Sequence, residues 1–290
     1  MLFWPNWCVA GALCAAIAAL GAADAAPAAT DCERLAAPAP PFATPAQIKQ
    51  AAHTDWVRAL VACKKEFNDH PADHRMQFLL GRAYDRSNDY LEAARLYRLA
   101  ADAGYAPAQN ALGLLLVTGH GVVRDYQTAF DLFNKAALAG NGEAMGNLGS
   151  MFANGYFVKE DDAKALAWYE KSIEAGNSFG LAQAGVMYFD GKGAPRDYQA
   201  AAEYFQQAAD LGDGYSMRFL AVMYERGLLG KPDAAKAAAL RFKAAQEDPN
   251  SQIPNVPPQR TAARARHHTG VRRVFIIRHY RFNGCNWMWC

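Results

Sequence analysis

The sequence predicts an all-α fold, a superhelical solenoid of antiparallel helix pairs. Three observations carry that expectation. Gly119, Gly155, Gly191 and Gly227 stand 36 residues apart, as do Asp125, Asp161, Asp197 and Asp233. Between these marks apolar residues keep helical spacing, with Leu112, Leu148, Ala184 and Leu220 on one stripe and Leu116, Phe152, Tyr188 and Tyr224 one turn later. A single helical hairpin cannot bury its apolar face alone, whereas stacked hairpins bury a continuous core.

The chain opens with a stretch, Trp7 to Ala23, that has no charged side chain, followed by small residues and Ala23-Asp24-Ala25. That is the pattern of a secretory signal over residues 1–25, although its first segment lacks Lys and Arg. An uncleaved anchor is the rival reading. The run is short for a span that needs about 20 apolar residues. Export to a periplasmic or extracellular compartment follows, and it changes how the cysteines read. Cys8 and Cys14 leave with the signal; Cys32, Cys63, Cys285 and Cys290 remain. Cys32 and Cys63 flank a single segment within the leader, residues 26–72, and a bridge between them closes a loop of about 30 residues, worth roughly 3–4 kcal/mol. Two free buried thiols are the alternative. Within this leader a helix is expected after Thr44, with Pro45 at its first position, covering the open end of the array.

Residues 106–248 hold four units of 36 residues. The first segment of each is a helix. Gly113, Gly149 and Gly185 sit inside it, where glycine costs about 1 kcal/mol against alanine. Close approach of a neighbouring helix compensates for that cost. Gly119 and its equivalents end the helix in the left-handed region. Asp125 and its equivalents cap the second helix. Ala129 and Ala136 form its narrow seam, and Leu132-Phe133, Trp168-Tyr169 and Tyr204-Phe205 supply bulk between helices. Gly140, Gly176 and Gly212 end the second helix. Upstream, residues 73–105 form a shorter unit with Gly81, Tyr84, Asp89, Ala93, Ala100 and Gly104, in which Ser87-Asn88-Asp89 replaces the glycine loop.

The run from Ala108 to Asp125, A-x-x-x-L-G-x-x-[YF]-x-x-G-x-G-V-x-x-D, and the run from Ala129 to Gly140, A-x-x-[WYF]-[YF]-x-x-A-A-x-x-G, resemble the Sel-one-like repeat, the longer-loop relative of the tetratricopeptide repeat. Residues 73–105 look more like an ordinary tetratricopeptide unit. Phe157 at the second loop glycine, Ala184 for Leu and Arg241 for the second-helix aromatic depart from the pattern. The two-cysteine leader is similar to that of exported proteobacterial members. The resemblance implies a scaffold that regulates envelope signalling, exopolysaccharide production or cell-wall processes by holding another protein. Some cysteine-rich relatives are linked to penicillin-like molecules, but they carry a Cys pair in each repeat, and residues 73–248 contain no Cys.

Catalytic patterns are missing from the sequence: there is no H-E-x-x-H, G-x-S-x-G or Walker loop. Gly191-Lys192-Gly193 ends a helix and is not a phosphate cradle. His53, His70, His74 and His120 do not cluster, and His120 reads as a solvated loop residue. The expectation is therefore a non-enzyme without cofactor or metal. An enzyme of cell-wall metabolism, penicillin-binding or penicillin-hydrolysing, is the alternative.

The chain has 30 basic and 28 acidic residues, but seven Arg and no acid follow Asp248. Residues 1–248 then carry 23 basic against 28 acidic side chains, a net −5, which argues against nucleic acid as ligand of the repeats. The tail, residues 249–290, loses the register. It reads either as a membrane or nucleic-acid contact, as a hairpin added to a partner, or as a disordered product of a disrupted frame. A partner groove is expected on the first helices, at positions that vary between units: Asn147, Asn154, Gln183, Asp190, Arg218 and Arg226.

Overall fold

The computed structural model describes residues 29–38 and 55–247, together with the backbone of 281–282 and 285–286. Among the described residues there are twelve helices, and the only other regular structure is a two-residue antiparallel ladder in which Arg281 faces Asn286 and Phe282 faces Cys285. The expected signal segment, residues 44–54 of the expected leader helix and most of the basic tail lie outside the described residues; the described leader helix begins at Trp56, behind an Asp55 cap.

Two helices precede the array. Helix α1 (Asp31–Ala36) opens with a capping box between Thr30 and Glu33, and α2 (Trp56–Asp69) begins where Asp55 accepts from the Arg58 N–H. A Cys32–Cys63 disulfide ties them, and the Cys32 N–H donates to Glu66. Glu33 pairs with Arg75, so α1 also rests on the first repeat.

Five pairs follow: α3 (His74–Arg86) with α4 (Tyr90–Asp102), α5 (Ala106–Thr118) with α6 (Tyr126–Leu138), α7 (Gly142–Asn154) with α8 (Asp162–Glu174), α9 (Phe179–Asp190) with α10 (Tyr198–Asp210), and α11 (Gly214–Glu225) with α12 (Ala234–Glu247). Each helix packs on its neighbours in the chain, which makes the molecule an α-solenoid of antiparallel helix pairs. Every second helix is capped as its sequence requires: Asp89, Asp125, Asp161, Asp197 and Asp233 each accept from a backbone N–H of the first turn. The backbone N–H of the same aspartate donates to a carbonyl near the end of the preceding helix, Tyr84, Leu116, Phe152, Tyr188 or Tyr224. The short loop of the first unit thus closes on the same bond as the longer ones. Asn88 takes its left-handed position with φ 64°.

The internal glycines have a common cause. A Cβ on Gly81, Gly113, Gly149 or Gly185 would stand 2.6–2.7 Å from the ring of Tyr97, Phe133, Tyr169 or Phe205 respectively. The second-helix aromatic packs against the bare backbone of the first. All four rings are buried, each contributing about 1.5–3 kcal/mol. The departure at Arg241 in the last unit has a counterpart: Arg241 stands where the ring would be, and Ala221 stands where the glycine would be. Arg241 instead pairs with Glu225 at the surface.

Candidate functional site

The first helices carry the variable positions, and the structure divides the six expected there. Asn154 and Asp190 are exposed at the ends of α7 and α9, and Arg226 is exposed where α11 ends. Gln183 is half-buried. Asn147 and Arg218 differ from the expectation that these positions stand clear of packing, since each is only 7% exposed. For Asn147 the reason is a hydrogen bond: its Nδ2 donates to Asn110 Oδ1 at 2.8 Å. Asn110 in turn donates to Glu143 Oε2 at 2.9 Å. The three side chains form a polar ladder across α5 and α7.

Asn110 belongs to the same repeat position as Gly146 and Ala182. At Gly146 the missing side chain is replaced from the next unit, because Phe179 fills the space within 2.7 Å of where a Cβ would be. Phe179 holds the register position of Glu143. One column between successive first helices is thus filled by amide with carboxylate in one unit and by glycine with aromatic in the next.

Burial and charge act together along this side. Glu143 touches solvent yet lies deep among protein atoms, which raises its carboxyl, while Arg82, Arg86 and the Asn110 amide pull it down. Charges on α3 and α7, two units apart, therefore act on one another. Asp190 shows the same combination, exposed but raised by desolvation against Lys192 and Arg196.

The loops carry features that sequence reasoning missed. His120, read as a solvated residue, is half-buried and its ring centroid stands 4.9 Å from that of Tyr90 in the preceding unit. Tyr156, at the same register position, stacks on Tyr126 at 5.1 Å. Arg124 and Arg196, two units apart in register, each donate to the last carbonyl of the preceding first helix, Thr118 O at 3.2 Å and Asp190 O at 3.3 Å. That spacing was visible in the sequence but skips the unit between. Phe157 keeps the positive φ of the glycines it replaces, 63°, and remains 52% exposed. Among the described residues no group of three or more His, Cys, Asp or Glu could hold a metal ion, and no helix is long and apolar enough to cross a membrane.

Comparison with known proteins agrees with this geometry. The Sel1 repeat model matches residues 74–105, 106–141, 142–177, 178–213 and 214–249. No curated protein matches the chain. Among solved structures, a Sel1 repeat protein from Oxalobacter formigenes is 30% identical, with a TM-score of 0.60 over 70% of this chain and 83% of that one. A protective antigen of uropathogenic Escherichia coli strains, displaying an SLR fold, is 29% identical with a TM-score of 0.55, over 70% of this chain but only 46% of its own length. Five matched repeats covering more than half of the sequence place the chain in the Sel1 repeat family.

Proposed function

We propose that the protein is a non-catalytic scaffold of the bacterial periplasm that holds another protein along its first helices. Sel1 repeat proteins are generally protein-interaction scaffolds. The observation that carries the reading is the contrast within each unit. The seam between its two helices is the same ring on the same glycine in four units, while the first-helix side changes in charge, size and polarity from unit to unit. Such a side offers a different contact at each step along an extended partner. The Cys32–Cys63 bridge suits an oxidising compartment. Within that compartment the scaffold would regulate envelope signalling or a cell-wall or exopolysaccharide process.

Crosslinking in the periplasmic fraction followed by capture identifies the partner. Reversing Asp190 and Arg226 together is expected to weaken that capture while the circular dichroism melt stays unchanged. Survival of capture in this variant, with loss only on changing the outer faces of the second helices, would place the partner elsewhere.

A further inference from the structure

Helix α11 is the last first helix of the array, and it is closed where it should be most open. Ser216 to Met223 are eight consecutive buried residues, so the helix is covered all round. Helices α10 and α12 pack on two of its sides. In earlier units a third side is covered by the first helix that follows: Glu143 bonds Asn110, and Phe179 fills the space beside Gly146. Among the described residues no first helix follows α11. Arg218, at the register position of Asn110 and Gly146, is buried all the same. Val222 is only 4% exposed, although its equivalents Leu114, Ser150 and Val186 are half-buried with a following unit in place.

We propose that residues 249–254 run as an extended strap along this third side of α11 and close the C-terminal end of the array. The chain brings this occupant to the right place. Helix α12 returns antiparallel to α11, so the chain leaves Glu247 beside the start of α11 at Gly214. Pro249, Pro254, Pro257 and Pro258 rule out a sixth first helix in register and favour an extended path. From Gly214 to Val222 the helix rises about 12 Å, which about four extended residues span, so Ile253 comes to lie over Val222. The repeat register gives the same alignment, because Ser251 holds the position of Glu143 and Phe179 and therefore faces Arg218. Asp248, the only acid after Glu247, enters beside that arginine and opposes its charge. A terminal repeat needs such a cover, since no neighbour buries its apolar side. The strap replaces a sixth unit with a few residues of the same chain, and it stands independently of the scaffold reading.

The test uses the full chain with Cys8→Ser, Cys14→Ser, Cys285→Ser and Cys290→Ser, which keeps the Cys32–Cys63 bridge. Added to this background, Val222→Cys is expected to react with a maleimide about ten-fold more slowly than Val186→Cys. Ile253→Asp is expected to raise the rate at Val222→Cys by about ten-fold while the rate at Val186→Cys and the circular dichroism melt stay unchanged. In a second chain, Val222→Cys with Ile253→Cys is expected to form a disulfide under mild oxidation, found by peptide mapping, whereas Val186→Cys with Ile253→Cys is not. Equal labelling of Val222→Cys and Val186→Cys overturns the proposal. Protection that survives Ile253→Asp overturns it by assigning the cover to another part of the chain, and protection that grows with protein concentration assigns it to a second copy. If Ile253→Asp alters the melt, the paired cysteines decide, and absence of their disulfide overturns the strap.

Discussion

Two buried contacts recur along this molecule, and they are built on opposite plans. Within a unit, the seam between helices repeats one solution: a ring on a glycine, in Gly81–Tyr97, Gly113–Phe133, Gly149–Tyr169 and Gly185–Phe205. Between units, the first-helix column changes its solution from one step to the next, from Asn110 with Glu143 and Asn147 to Gly146 with Phe179. Both are packed. Only the seam shows itself as a constant residue, so only the seam is recognisable from one position at a time. The lesson is that variation between repeats can mean matched pairs as well as freedom from packing.

The largest test of this difference compares the seam with its exception. Phe205→Ala removes a fully buried ring and is expected to cost about 3–5 kcal/mol. Arg241→Ala, at the same position of the last unit, removes only a surface pair with Glu225 and should cost less than about 1 kcal/mol. Urea titration followed by circular dichroism measures both. Equal losses would mean that the last unit is locked by some other contact at that position.

One seam tyrosine, Tyr97, adds a pH dependence that the phenylalanines lack. Tyr169 reaches Ser150 Oγ at 3.2 Å, whereas Tyr97 reaches Asp85. Because burial lifts Asp85 from 3.8 to about 6 in the folded chain, folding favours its protonated form. Its stabilising share is complete below the unfolded value and is lost as pH rises toward 6. Asp85→Asn keeps an acceptor for Tyr97 without the charge. It is expected to raise stability above about pH 7 by about 1–3 kcal/mol and to change nothing below about pH 4. A gain that is the same at both ends of this range would assign the effect to something other than ionisation of Asp85.

The glycine of the seam can be tested directly. Gly113→Ala gains about 1 kcal/mol of helix propensity but forces a Cβ to within contact distance of Phe133, so a net loss of about 1–2 kcal/mol is expected. Combining it with Phe133→Leu should recover part of that loss. A stabilised single variant in thermal melts would show that the ring can move aside, and that propensity alone sets the choice at this position.

Most of the fold was legible because its devices are local and recur. A left-handed helix end asks for glycine at Gly119, Gly155 and Gly191, and an orphaned first turn asks for aspartate at Asp125 and its equivalents. The scarcity of glycine inside helices made Gly113 conspicuous, although the sequence did not say which ring lay on it. The first-helix side was less legible. Asn110 pairs with Asn147, one repeat and one residue further on, so comparison at equal register cannot show the pair. Comparing Asn110 with Gly146, and Glu143 with Phe179, could have revealed the exchange of an amide and acid for a glycine and ring.

That column supplies the smallest test. Asn110 and Asn147 are both buried, and each satisfies part of the other's hydrogen-bonding capacity. Asn147→Ala leaves Asn110 Oδ1 without this donor, while the Asn110 amide keeps Glu143. Asn110→Ala removes the partner of both. Each single change is expected to cost about 1–2 kcal/mol, the usual penalty of a buried polar group left without its bond. Once one side chain is gone the other has less to lose, so the double variant should cost less than the sum by about 0.5–1 kcal/mol. In the next unit Gly146 has no side chain to offer Gln183, and Gln183→Ala should change stability by less than about 0.5 kcal/mol. Denaturant titrations of the four variants measure the cycle and its control together. A purely additive cycle would remove the coupling, return Asn147 to the unconstrained positions, and leave the seam as the one contact that specifies the order of the helices.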